Sequence, residues 1–223
     1  MPRPSAGSRS TPVPEESSAV EQLRSADPAM ADLIDRFGRP DDVRAARGRR
    51  PGDAYGALVR AIVGQQLSTK AAKSIFERLV DYFGGHTPTP SQLLEADPEE
   101  MRAAAGLSRA KVGFLRDLAE HVEDGELQLD QLAELTDAEV ADQLTAVKGL
   151  GPWTVHMFLI FHLGRPDVLP VGDLGIRKAV QVLHGLGELP TPAELERIAE
   201  PWRPHRSLAS LYLWRSLDNE PTV

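Results

Sequence analysis

Helix start and stop signals recur along this chain at such short intervals that it has room for little except short α-helices joined by brief turns. Asp27-Pro28 precedes an apolar-periodic run, Asp53 precedes Tyr55 to Ile62, and Ser68 precedes Ala71 to Phe83, which Gly84-Gly85 ends. Asp, Ser and Thr side chains in such places accept backbone N–H groups that a helix's first turn leaves without partners, and glycine ends a helix because it enters the left-handed region cheaply. Asp97-Pro98 opens a short helix closed by Gly106, and Ser108 opens another that runs to about Glu123 before Gly125. Thr136 with Glu139, and Thr191 with Glu194, have the spacing of a capping box. No segment alternates apolar and polar residues as a half-buried strand would, and no periodic repeat is present. The expectation is about ten short helices in an all-α fold.

A chain of 223 residues can bury a substantial core, as one domain or two small lobes sharing a cleft. Cysteine is absent, which excludes a disulfide framework, thiolate-bound zinc and an iron–sulfur cluster. Met1 to about Ser18 is rich in Pro, Ser and Arg and lacks the apolar core of a signal peptide, so residues 1–18 are expected to be a disordered tail before one domain, 19–223. No apolar run approaches the ~20 residues that cross a bilayer, so no membrane partner is expected, and a bacterial-type cytoplasm is the default compartment.

A net charge of −8 argues against a nucleic-acid partner, but the charge is unevenly spread. Residues 54–76, 101–116, 143–166, 174–187 and 201–217 contain no Asp or Glu, yet hold 14 of the 25 Lys and Arg residues. Folded onto one face, these windows would make a positive surface on an acidic protein; the plainer alternative is buried helices flanked by acidic surface. Arg44 to Arg50 form a further basic cluster.

The segment from Leu144 to Val155, Leu-Thr-Ala-Val-Lys-Gly-Leu-Gly-Pro-Trp-Thr-Val, joins a helix ending near Ala146 to one starting near Pro152. Gly149 and Gly151 permit tight, positive-φ geometry and the approach of a phosphate to backbone N–H groups, while Leu150 can pack back between the helices. Pro152 suits a first helical turn, so the second helix would present its positive dipole end to that phosphate. This is a candidate helix-hairpin-helix, with an ordinary helical corner as the alternative.

An amphipathic helix from Trp153 to Leu163 follows, then a Gly/Pro-rich loop, Leu169-Pro-Val-Gly-Asp-Leu-Gly-Ile-Arg-Lys178, with Asp173 at the start of the next helix. Hairpin, helix, loop and Asp in this order resemble the helix-hairpin-helix DNA glycosylase superfamily, and more narrowly the 3-methyladenine DNA glycosylase II family. Ile62-Val-Gly-Gln-Gln-Leu-Ser68, Gly106-Leu-Ser-Arg-Ala-Lys-Val112 and the stretch from Trp202 to Trp214 are similar to that family too, over about residues 27–217. The resemblance implies two helical lobes with a DNA-binding cleft, lobe A about 19–52 plus 166–223 and lobe B about 53–165. It implies hydrolysis of the N-glycosidic bond of alkylated purines in double-stranded DNA by a monomer, with Asp173 as the essential carboxylate. Breaking that bond builds positive charge on the deoxyribose, so a fixed anion is the group required, and a helix start stabilises one. An Asp there is also a favoured N-cap, and the two roles are compatible.

The remaining roles are carried over by the same resemblance. Superfamily members that also cleave the backbone carry Lys where this chain has Trp153, so water is the expected nucleophile. Trp153, Trp214 and Met157 would line the pocket for the flipped base, with Met157 standing where a relative has tyrosine. Gln66, or Leu67 if the register is shifted by one, would fill the hole left in the stack. Lys148, Gly149, Gly151 and Thr154 would bind DNA at the hairpin, as would Arg203 and Arg206 elsewhere, unless these arginines form a solvated face. Carbonyls of Thr145, Val147 and Leu150 would hold Na+ or K+; no other cofactor is expected. His156 and His162 lie six residues apart on one expected helix, not side by side, and do not make a metal site. A glycosylase for an oxidised or mismatched base, a non-catalytic hairpin protein that binds DNA, and a helical scaffold without a DNA role are the alternatives.

Overall fold

The computed structural model describes residues 14–38 and 53–217. The Arg44 to Arg50 cluster and residues 1–13 of the expected tail lie outside them. Every regular element among the described residues is helical. These residues fall into two compact units, one holding residues 53–165 and the other residues 14–38 with 166–217.

Helices α1 (Pro14–Ala26) and α2 (Pro28–Phe37) precede the first gap, and α3 (Ala54–Gly64), α4 (Thr69–Tyr82), α5 (Pro90–Glu95), α6 (Pro98–Ala105), α7 (Arg109–Glu123), α8 (Asp137–Ala146) and α9 (Pro152–Phe161) make up the unit of residues 53–165. The starts are where the sequence places them. Asp53 accepts the Gly56 N–H at 2.6 Å, Ser108 accepts that of Lys111 at 3.2 Å, and Thr136 with Glu139 forms a full capping box. A second box in this unit, Thr89 with Gln92, was not anticipated. Its core centres on α3, whose Leu58, Val59, Ile62 and Val63 are fully buried, each worth about 1.5–3 kcal/mol. The expected amphipathic helix from Trp153 to Leu163 is corrected on two counts. It ends at Phe161, and it has no continuous polar side: Thr154, Val155, Met157, Phe158, Leu159 and Ile160 are all buried. A helix packed on most of its surface carries no clean periodic stripe.

In the other unit, α10 (Leu174–Leu183), α11 (Pro192–Ile198) and α12 (Arg206–Leu217) join α1 and α2. Helix α12 runs through the middle, with Ser207 to Trp214 all buried. The tail expectation is also corrected, since α1 begins at Pro14 and takes in residues that were expected to be disordered. Ala19 and Leu23 bury in the core and anchor this helix. Buried Asp27 both caps α2 and accepts the Trp202 indole N–H at 2.8 Å. The loop before α10 is tied down by Ser207, whose hydroxyl accepts the Val168 N–H at 2.9 Å and whose own N–H donates to Pro166 O.

Candidate active site

Asp173 sits at the N-cap of α10 with extended backbone angles. Its Oδ1 accepts the Ile176 N–H at 2.8 Å and the Trp214 indole N–H at 3.1 Å. The side chain is therefore oriented from two sides, by the helix it starts and by α12. A Cβ at Gly175 would lie 3.0 Å from the same Oδ1, tighter than ordinary contact, so glycine there makes room for the carboxylate. Trp214, assigned from the resemblance to the base pocket, is only 6% exposed and holds Asp173 by its ring nitrogen. Leu174, the next residue, is 65% exposed.

The hairpin follows α8. Gly149 has φ +86, whereas Gly151 has φ −91 and ψ 173 as the N-cap of α9, so only the first glycine uses the left-handed region and the expectation for the second is corrected. Leu150 is buried between, as expected, and its N–H closes a turn onto Val147 O at 3.1 Å. A Cβ on Gly149 would meet the Phe114 ring at 2.4 Å, while one on Gly151 would meet nothing within 4 Å. Gly149 is thus demanded by the fold. Gly151 is not, and its empty surroundings leave a backbone that a large anion can approach.

Asp117, on α7 and nearly inaccessible, accepts the Lys148 backbone N–H at 2.8 Å and its ammonium at 2.5 Å. Burial alone would push this carboxyl up; the bonds from Lys148 outweigh it and hold the pKa below the usual carboxylate range. The Lys148 side chain is exposed but its ammonium is paired with buried Asp117, so its expected contribution to phosphate binding is small. Lys148→Met should change the slope of log affinity against log salt by much less than the ~0.9 that one neutralised phosphate contributes. Fluorescence anisotropy on duplex DNA at several salt concentrations checks this, and a change of a full phosphate would restore Lys148 as a contact.

The turn after α3 holds the other group. Gln66 is exposed and has φ +56, a conformation that non-glycine side chains avoid and that structures keep mainly where something over-determines it. Leu67 is 38% exposed. Gln65 donates from Nε2 to Gly149 O at 2.7 Å, and Lys111 Nζ donates to Val63 O and Gln65 O, both at 2.8 Å. Among the other expected residues, Trp153 is 48% exposed, but Met157 and the Thr154 side chain are buried. Met157 therefore belongs to the core of its unit, and Thr154 can meet DNA only through its backbone at the start of α9.

Arg203 and Arg206 converge on Asp167 instead of standing free. Arg206, largely buried, reaches both carboxylate oxygens and the Asp167 carbonyl, and Arg203 bridges Asp167 and Glu200. They lock the start of α12 to the loop before α10. His162 is the C-cap of α9 and stacks on Phe158, and His156 is half-buried, with burial lowering its pKa. No cluster of His, Asp or Glu suited to a metal occurs among the described residues. Sequence reasoning missed Gln65, Lys111, Phe114 and Asp117. The signal was available for two of them, because Gln65 and Lys111 lie inside motifs that had been singled out; Phe114 and Asp117 lie outside every such motif.

The described residues form an all-helical fold with a Gly-x-Gly hairpin and an Asp at a helix start, the features that carried the resemblance to DNA glycosylases, and comparison places the chain. The family model of the HhH-GPD superfamily base excision DNA repair protein matches residues 59–204, and the chain belongs to that family. It is 35% identical over 210 residues to DNA-3-methyladenine glycosylase 1 of Schizosaccharomyces pombe, covering 92% of each chain. Among solved structures it resembles the 3-methyladenine DNA glycosylase of Schizosaccharomyces pombe in complex with abasic DNA, at a TM-score of 0.81 and 35% identity, over 90% of this chain and 97% of that one. The DNA-3-methyladenine glycosidase of Bacillus halodurans is similar at a TM-score of 0.75 and 35% identity, over 90% and 89%.

Proposed function

We propose that this chain is a monofunctional DNA glycosylase of base excision repair, hydrolysing the bond between deoxyribose and an alkylated purine in duplex DNA and leaving an abasic site. The observation that carries the reading is the Asp173 carboxylate, fixed by the Ile176 and Trp214 N–H groups in a chain whose relatives are named for this activity. The glycosidic bond breaks with both electrons going to the base, and Asp173 lies against the positive charge left on the sugar. Water adds to C1′ and loses its proton. A purine alkylated on a ring nitrogen already carries positive charge and leaves as a neutral base, so no second carboxylate is required to protonate it. The exposed Trp153 offers an indole face that favours such a cationic base, and no lysine amine stands at its position to form a Schiff base.

Gln66, held exposed in a strained turn, is the side chain that enters the stack when the base leaves it. Backbone N–H groups around Gly151 at the start of α9 take the phosphate. Carbonyls of Thr145, Val147 and Leu150 would hold Na+ or K+: Thr145 lies in the last turn of α8, where the dipole favours a cation, and Val147 O, which accepts the Leu150 N–H, keeps a second lone pair for an ion. When bound, such an ion would supply positive charge for a phosphate. No described helix is long and apolar enough to cross a membrane, and the proposal places the chain at the DNA, the nucleoid of a bacterial-type cytoplasm.

Duplexes each carrying one defined lesion test the reading, incubated with the protein and resolved with and without alkali. Release of 3-methyladenine with strand breaks only after alkali is the expected result. Preference for a neutral oxidised base would replace the substrate, and breaks without alkali would replace the mechanism.

A further inference from the structure

Three residues at three-residue spacing on α7 touch the two parts of its unit that the proposed function assigns to DNA. Lys111 holds Val63 O and Gln65 O, Phe114 fills the space against Gly149, and Asp117 holds the Lys148 N–H and ammonium. Residues three apart on a helix share a face, so these form one stripe. The Gln65 side chain closes the arrangement by bonding the hairpin at Gly149 O. The turn that carries Gln66 is thus clamped from behind by an ammonium and from the side by the hairpin.

We infer that Lys111 and Gln65 are positioning residues, which fix the Gln66 turn on the hairpin through α7 so that gripping the phosphate and entering the base stack are geometrically one event. The inference rests on the wedge reading of Gln66. Its physical basis is the left-handed backbone at Gln66, a conformation that relaxes unless neighbouring carbonyls are held. The Lys111 ammonium holds the carbonyl of Gln65, immediately before Gln66, and that of Val63 at the end of α3. Loss of either donor leaves the hairpin and the chemistry of Asp173 in place, but frees the wedge to wander.

A double-mutant cycle separates this from a general structural role. Single-turnover base excision from a duplex with one alkylated purine is measured for Lys111→Met, Gln66→Ala and the pair. Lys111→Met and Gln66→Ala are each expected to slow excision by about tenfold, and the pair to be no slower than Gln66→Ala alone within about twofold. Independent, multiplying losses would overturn the inference and leave the wedge reading intact. An unaltered rate for Gln66→Ala would overturn the wedge reading and the inference with it. Should Lys111→Met fail to fold by circular dichroism, Gln65→Met, which removes only the donor to Gly149 O, takes its place in the same cycle with the same expected outcomes.

Discussion

Asp173→Asn is expected to slow base release by about a thousandfold or more, the scale of losing a preorganised electrostatic partner, while duplex binding changes little. The substitution keeps almost everything except the charge. Asparagine is as good an N-cap as aspartate, and an amide oxygen in the position of Oδ1 still accepts from Ile176 N and Trp214 Nε1. Helix α10 should therefore start where it does now, and the urea midpoint should hardly move. If Asp173 served only as a cap, excision would survive as well. Single-turnover excision and anisotropy on the same lesion-bearing duplex distinguish the two, and turnover within about tenfold of the unaltered protein would remove the carboxylate from the mechanism.

What could be read in the sequence was what the chain decides locally. Caps at Asp53, Ser68, Ser108, Thr136 and Thr191 act within one turn of themselves, so residue type and spacing are enough. Asp173 was legible for the same reason, with the resemblance adding its chemistry. Partners far apart in the chain were not legible. The Gln65 bond to Gly149 spans 84 residues and the Trp214 bond to Asp173 spans 41, and no local pattern encodes either. The ion pairs of Arg206 with Asp167 and of Lys148 with Asp117 were not legible either, because nothing beside these residues in the sequence announces their partners. Helix α9 was read as amphipathic, in a stretch that holds Thr154, His156 and His162. In the fold the threonine is buried and His162 lies past the last turn. Burial on most sides is decided by what packs around a helix, not by its own period.

The two hairpin glycines should fail in opposite ways when each is replaced by alanine. Gly149→Ala puts a Cβ 2.4 Å from the Phe114 ring and asks alanine to hold φ +86. Strain in the left-handed region and overpacking together cost about 2–4 kcal/mol, so the urea midpoint should fall markedly. Adding Phe114→Ala should return the overpacking part and leave the backbone part, although it opens a cavity of its own. Gly151→Ala meets no protein atom and keeps φ −91, which any residue adopts, so stability should stay within about 0.5 kcal/mol. Its duplex affinity should nevertheless drop by about tenfold, because a methyl group there stands between the start of α9 and an approaching phosphate. A stable Gly151→Ala protein with unaltered affinity would mean that the phosphate does not approach at Gly151. The hairpin would then owe its second glycine to nothing in the fold and nothing on the DNA.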